Sequence, residues 1–254
     1  MKQVLNSFAI AIAMYSKIPI KTSNWEKSNM KYVMCFFPVV GLFIGLGILL
    51  WTYLITLLPF GSAFRTAGYI LIPIMITGGI HLDGLLDTAD ALSSYQTIEK
   101  KLEILKDPHT GAFAIIVFGC YLLSAYGIWS EVSNDMILVI ALGFILSRAL
   151  SGYAVVTFPC AKNSGLAALF SDAASKRVVK KVMLLQIVLT NVAMLLIHMK
   201  YGMFAILGAF VVFIYYKRMS RKQFGGITGD VAGFFLQLCE VIMVLSIVVG
   251  DKIW

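Results

Sequence analysis

Apolar residues fill most of the chain in long runs, and polar residues gather in short stretches between them. Runs approaching or exceeding the roughly 20 residues that a bilayer-crossing helix needs cover 34–58, 66–82, 111–130, 136–156, 181–199 and 231–250, with a shorter one at 203–216. The pattern predicts about seven transmembrane helices in an all-α, polytopic integral membrane protein. The segment 4–16 is too short and too interrupted to span, and Lys17 and Pro19 end it. It reads as an interfacial or re-entrant helix. No small-residue cleavage site follows it, so it does not read as a removable signal peptide. With no internal repeat, low-complexity tract or long linker, 1–254 reads as one membrane domain.

Charge adds an orientation. The 254 residues are 59% hydrophobic and 13% charged, against about 25% charged in soluble domains. Of the 21 Lys and Arg, five precede the first span, three lie in 83–110, five in 157–181 and four in 217–222. The alternate segments hold only Arg65, Lys200 and Lys252. By the positive-inside rule the N-terminus is cytoplasmic and the C-terminus faces out. The net charge of +8 therefore follows from topology, and nucleic-acid binding is not expected. The basic runs at 176–181 and 217–222 read as topology anchors that also attract anionic membrane lipid. Cys35, Cys120, Cys160 and Cys239 are isolated, with no CxxC pair, which argues against disulfides and zinc. His198, near the outer end of a span, reads as a packing residue.

The candidate chemistry sits in Gly78-Gly79-Ile80-His81-Leu82-Asp83-Gly84-Leu85-Leu86-Asp87-Thr88-Ala89-Asp90. On a helix, spacings of four and three put Asp83, Asp87 and Asp90 on one face. Three stacked carboxylates repel. A divalent cation removes the repulsion, and oxygen-only ligands favour Mg²⁺ or Mn²⁺ over zinc. The bland alternative is a solvated helix start whose acids face the positive end of the dipole.

Other polar residues gather at the same membrane face. Asp107-Pro108-His109-Thr110-Gly111 precedes one span, and Gly225-Gly226-Ile227-Thr228-Gly229-Asp230 precedes the last. Glycines at 225, 226 and 229 suit a phosphate cradle followed by a helix N-terminus. Asp230 reads equally as a metal ligand and as an N-cap. Arg148, inside the fourth span, is costly unless paired. Its candidate partners are a substrate phosphate and one of the Asp residues, and snorkelling is the alternative. Glu240, within the last span, is a similar case and also fits a protonated or hydrogen-bonded packing residue. Carboxylates, a metal, an Arg and a Gly-rich turn are the parts of phosphoryl transfer.

The 78–90 segment closely resembles the signature of the cobalamin synthase (CobS; adenosylcobinamide-GDP ribazoletransferase) family. Tyr15-Ser16-Lys17-Ile18-Pro19, Phe37-Pro38-Val39-Val40-Gly41, Lys106-Asp107, Ser147-Arg148 and Gly225–Asp230 extend the resemblance in family order. Asp107-Pro108-His109-Thr110 departs from the family's usual wording. The resemblance implies a Mg²⁺-dependent enzyme of the bacterial or archaeal cell membrane. Its substrates would be adenosylcobinamide-GDP and α-ribazole or its 5′-phosphate. A ribose hydroxyl attacks the phosphate on cobinamide and GMP leaves. Asp83, Asp87, Asp90 and His81 are then the expected catalytic residues, and Asp83, Asp87, Asp90 and Asp230 the metal ligands. Arg148, Gly225, Gly226, Thr228, Gly229 and Asp107 are the expected substrate contacts. Further copies of the chain or other corrinoid-pathway enzymes are the expected protein partners. Two other readings are a CDP-alcohol phosphotransferase-like lipid enzyme, whose longer Asp motif is not found here, and a cation-coupled transporter. A transporter would place its acids at the membrane midplane rather than at one surface.

Overall fold

The computed structural model describes residues 2–21, 26–58, 60–161 and 166–254. Twelve helices follow one another among them: α1 (Lys2–Tyr15), α2 (Lys27–Met30), α3 (Val33–Leu57), α4 (Ser62–Thr77), α5 (Ile80–Ser93), α6 (Ile98–Ile104), α7 (Ala112–Ser130), α8 (Asn134–Thr157), α9 (Leu166–Ala173), α10 (Lys176–Ile197), α11 (Met199–Phe224) and α12 (Gly229–Ile253). The protein is an all-α, multi-pass membrane bundle. Six helices, α3, α7, α8, α10, α11 and α12, are long and apolar enough to cross a bilayer. α8 is the most enclosed of them, packed against α3, α10 and α12. α1 is not a span; it lies along α3.

Two spans differ from the hydropathy reading. The run at 66–82 is not one helix. α4 stops at Thr77, and α5 leaves it at 95°. Gly78 and Gly79 make the elbow with φ of +66° and +79°, a left-handed pair that residues with a Cβ resist. The amides of Gly78 and Gly79 close on carbonyls of α4, at Met75 (3.4 Å) and Ile74 (3.0 Å). In the other case, the short run at 203–216 lies within a 26-residue helix. Lys217, Arg218, Arg221 and Lys222 are its last turns and not a loop, so their stems continue the helix while their charges reach out.

The loops sort to two ends. At one end Arg65 donates to Asn134 Oδ1 (2.9 Å), Lys252 pairs with Glu131 (2.9 Å) and Lys200 with Asp251 (3.1 Å). These are the three basic residues assigned to the outer face. At the other end the Lys17 amide meets the Ile76 carbonyl (2.7 Å), the Ser175 amide meets that of Lys31 (3.1 Å), and Lys101 Nζ donates to Gln223 (2.5 Å). α4 therefore joins the two ends, and α5 lies at the basic one, outside the long spans. Lys162, counted among the basic residues, lies outside the described residues. All four cysteines are free. His198 does more than pack: it caps α11, its Nδ1 accepting the Tyr201 amide (3.4 Å).

Candidate active site

The site begins where α5 crosses the first turn of α12. A Cβ on Gly84 would lie 2.7 Å from the Asp230 carbonyl oxygen, and one on Gly233 would lie 3.0 Å from that of His81. Only glycine at both positions lets the two backbones touch. That contact brings the acidic face of α5 to Asp230 across nearly 150 residues of chain. Gly84→Leu is expected to separate the helices and abolish turnover while the other spans still insert, which activity and membrane extraction measured together would check.

The carboxylates feel one another. Burial and then the charges of Asp83, Asp230 and Asp90 push the Asp87 carboxyl up to about 6. Asp83 is exposed at the mouth, with Asp87 and Asp230 half-buried behind it. Asp90 stands apart: a Cβ on Gly111 would strike its carboxylate, so it rests on the backbone where α7 begins. There it faces the positive end of a helix dipole. Among the described residues no three His, Cys, Asp or Glu side chains converge into a ready-made metal cage. The cluster is instead a loose, oxygen-only set of crowded anions. That suits Mg²⁺, which keeps several of its waters and takes one or two carboxylates.

Beside this cluster opens a cleft of about 670 Å³, its mouth included, with Asp83, Gly229 and Asp230 among its lining. Its inner wall is apolar and aromatic. Tyr15 packs on Phe37 (ring centroids 4.3 Å apart), with Phe170 at 6.1 Å and His81 at 6.3 Å. His81 is only 4% exposed. Burial and the nearby Arg148 charge hold its imidazole well below its usual range, hence neutral.

The chain matches the family model described as cobalamin-5-phosphate synthase (CobS) over residues 7–248. It belongs to the CobS family. The adenosylcobinamide-GDP ribazoletransferase of Lachnoclostridium phytofermentans is 47% identical to it, over 98% of this chain and 95% of that protein. The proteins of the same name from Treponema denticola (34%, over 93% of this chain and 95% of that protein) and Clostridium botulinum (30%, over 97% and 98%) also align along nearly their whole length. No solved structure matches.

In this CobS chain several expected site residues have other work. The glycine pair is not an open cradle. The Gly225 and Gly226 amides close α11, on Arg221 (3.2 Å) and Ser220 (3.1 Å), and the Ile227 amide bonds the Pro159 carbonyl (2.9 Å). Gly229 is the glycine that faces open space. Thr228, not Asp230, caps α12, its Oγ1 accepting the Val231 amide (3.1 Å). Asp230 lies in the first turn of α12, its carboxylate held by its own backbone amide and accepting from Thr228 Oγ1 at 3.5 Å. Asp107 is exposed and turned on its own loop, Oδ1 accepting from the His109 amide (3.0 Å) and facing its Nδ1 (2.7 Å). Those contacts hold its carboxyl below the usual range.

Arg148 is 1% exposed, so it does not snorkel. Its partner within the protein is Glu240 and not one of the Asp residues. Nη1 donates to Glu240 (2.5 Å), to the Phe144 carbonyl (3.0 Å) and to Ser147 (3.1 Å), and Ser147 also donates to Glu240 (3.0 Å). Glu240, read from sequence as a similar intramembrane charge or a packing residue, is the second half of a buried pair that ties α8 to α12. Arg148 Nε is left with no partner.

Proposed function

We propose that this chain joins α-ribazole, or its 5′-phosphate, to the phosphate of adenosylcobinamide-GDP, with GMP as the leaving group. The observation that carries the reading is the meeting of Asp83, Asp87 and Asp230 at the α5–α12 crossing, in a chain that matches the CobS model from residue 7 to residue 248. A ribose hydroxyl forms the new O–P bond on the phosphate that cobinamide carries. The bond to the outgoing GMP breaks, and the hydroxyl proton passes to a carboxylate. Asp87, whose carboxyl is pushed up to about 6, is the group best suited to take it. Asp83 and Asp230 are the residues that would hold Mg²⁺. Bound there, the ion would supply charge neutralisation at the two phosphates. No serine or cysteine nucleophile with a base partner is needed, because the attacking group comes with the substrate.

The paired basic end and acidic site fit a cytoplasmic active face, with the C-terminus outside. A cysteine placed at Gln96 should then react with an impermeant reagent only after the membrane is opened, and one at Trp254 should react in intact cells. Labelling of both from the same side would overturn the orientation.

The functional test uses purified protein in detergent with adenosylcobinamide-GDP and α-ribazole 5′-phosphate. GMP should appear with Mg²⁺ present, stop on chelation and return on re-addition. CMP release from a CDP-alcohol, or ion flux without any nucleotide product, would replace this reading with a lipid enzyme or a transporter.

A further inference from the structure

The cleft beside the carboxylates has a feature that phosphoryl transfer does not require. It runs inward from Asp83 and Asp230 to a dry wall of Tyr15, Phe37, Val155 and Phe170. Phosphates and metal gain nothing from such a wall. A flat aromatic group gains a good deal, from apolar burial and from edge and face contacts with the rings.

Besides the carboxylates and the hydroxyl-bearing Tyr15 and Ser151, the lining holds one buried ring nitrogen. His81 Nε2 is buried with no hydrogen-bond partner, and His81 is the only cleft residue among the described ones with such an atom. Buried polar atoms are nearly always partnered, so this one points to a missing ligand. The imidazole is held in place by Phe37 at 5.8 Å, ring edge to ring face, and by Tyr15 stacked at 6.3 Å.

We infer that this cleft is the base subsite: the aromatic base of the ribazole enters it, its free ring nitrogen meets His81, and its ribose is left at the carboxylates. The inference rests on the reaction proposed above and adds where the acceptor lies and what selects it. The geometry is consistent end to end, because His81 and Asp83 are two residues apart on α5 and mark the inner and outer ends of the same cleft. A corrin macrocycle cannot take this place. Its polar rim would be buried against apolar walls without partners. A base with one ring-nitrogen acceptor and no amino groups leaves nothing unpaired, so His81 in its Nε2–H form selects a benzimidazole over an adenine.

The test is a steady-state comparison of wild type, Val155→Phe, Ala232→Val and His81→Phe, with KM measured separately for each substrate. Val155→Phe narrows the cleft from α8, and Ala232→Val does so more gently from α12, in case the larger change prevents folding. Obstruction should raise KM for ribazole by about ten-fold or more and move that for adenosylcobinamide-GDP by less than about two-fold. His81→Phe should cut the preference for benzimidazole riboside over adenine riboside by about ten-fold while kcat on the former changes less. Binding of ribazole alone, followed by titration calorimetry, should weaken in the same variants. If GMP release holds but obstruction raises KM only for the corrinoid, or for neither substrate, the subsite assignment is overturned and the reaction stands. If wild type releases no GMP yet ribazole binds and obstruction weakens it, the reaction is wrong and the cleft is still a base site.

Discussion

Asp83→Asn and Asp87→Asn should each reduce turnover by at least about 100-fold, the scale of losing one pre-positioned electrostatic group, while leaving the protein folded and inserted. The two should fail differently. Asp83 is exposed at the mouth, so its loss should weaken the apparent affinity for Mg²⁺, and raised Mg²⁺ should recover part of the rate. Asp87 sits among the other acids with its carboxyl pushed up to about 6, and its amide can neither take a proton nor be rescued by metal. Relieving this crowding should leave melting temperature in detergent unchanged or slightly higher. Activity and melting curves at several Mg²⁺ concentrations check both statements. Near-normal rates for both variants at low Mg²⁺ would remove the carboxylate cluster from the chemistry.

The second large effect concerns Arg148 and Glu240. Removing one side of a buried ion pair strands the other charge and typically costs about 3–5 kcal/mol. Arg148→Ala and Glu240→Ala should each melt well below wild type. Arg148→Lys should retain much of the stability, because an ammonium can still reach a carboxylate, although it loses the Nη1 geometry that bonds Phe144, Ser147 and Glu240 together. The double replacement Arg148→Met with Glu240→Leu should restore melting to near wild type, since well-packed apolar residues often equal a buried pair. Its activity then decides the role of Arg148. A stable and active double variant makes the pair a brace between α8 and α12. A stable but inactive one gives the guanidinium a part in substrate binding as well.

Much of this was legible in the residues. The four-then-three spacing of Asp83, Asp87 and Asp90 does lie on a helix, because Ile80–Ser93 is one. The elbow was legible too, as Gly78-Gly79. A hydropathy window averages over it, however, and joins two helices that meet at 95°. Lys217–Lys222 hid the end of α11 for a related reason. Such a window counts a lysine as polar wherever its charge goes, whereas the stem continues the helix. What could not be read locally was pairing over distance. Arg148 and Glu240 are 92 positions apart, and nothing nearby announces either as the other's partner. The usable signal was that a chain with so few intramembrane charges holds one of each sign. Likewise Thr228 and Asp230 both fit the start of α12, and only the observed bond from the Val231 amide to Thr228 shows which of them is the cap. The glycine pair at 225–226 misled because a helix end and an anion cradle use the same residue type.

The crossing of α5 with α12 also bears on biogenesis. Asp83 is added when the chain is about one-third made, whereas Asp230 and the glycine at 233 belong to the final segment. Until that segment is inserted, α5 can rest on the start of α7 but lacks the α12 backbone that its first turns cross. Catalytic competence therefore waits for α12, because a nascent chain that ends before Asp230 lacks one wall of the site. A product stalled before α12 can occupy the membrane, but it is not expected to consume the corrinoid.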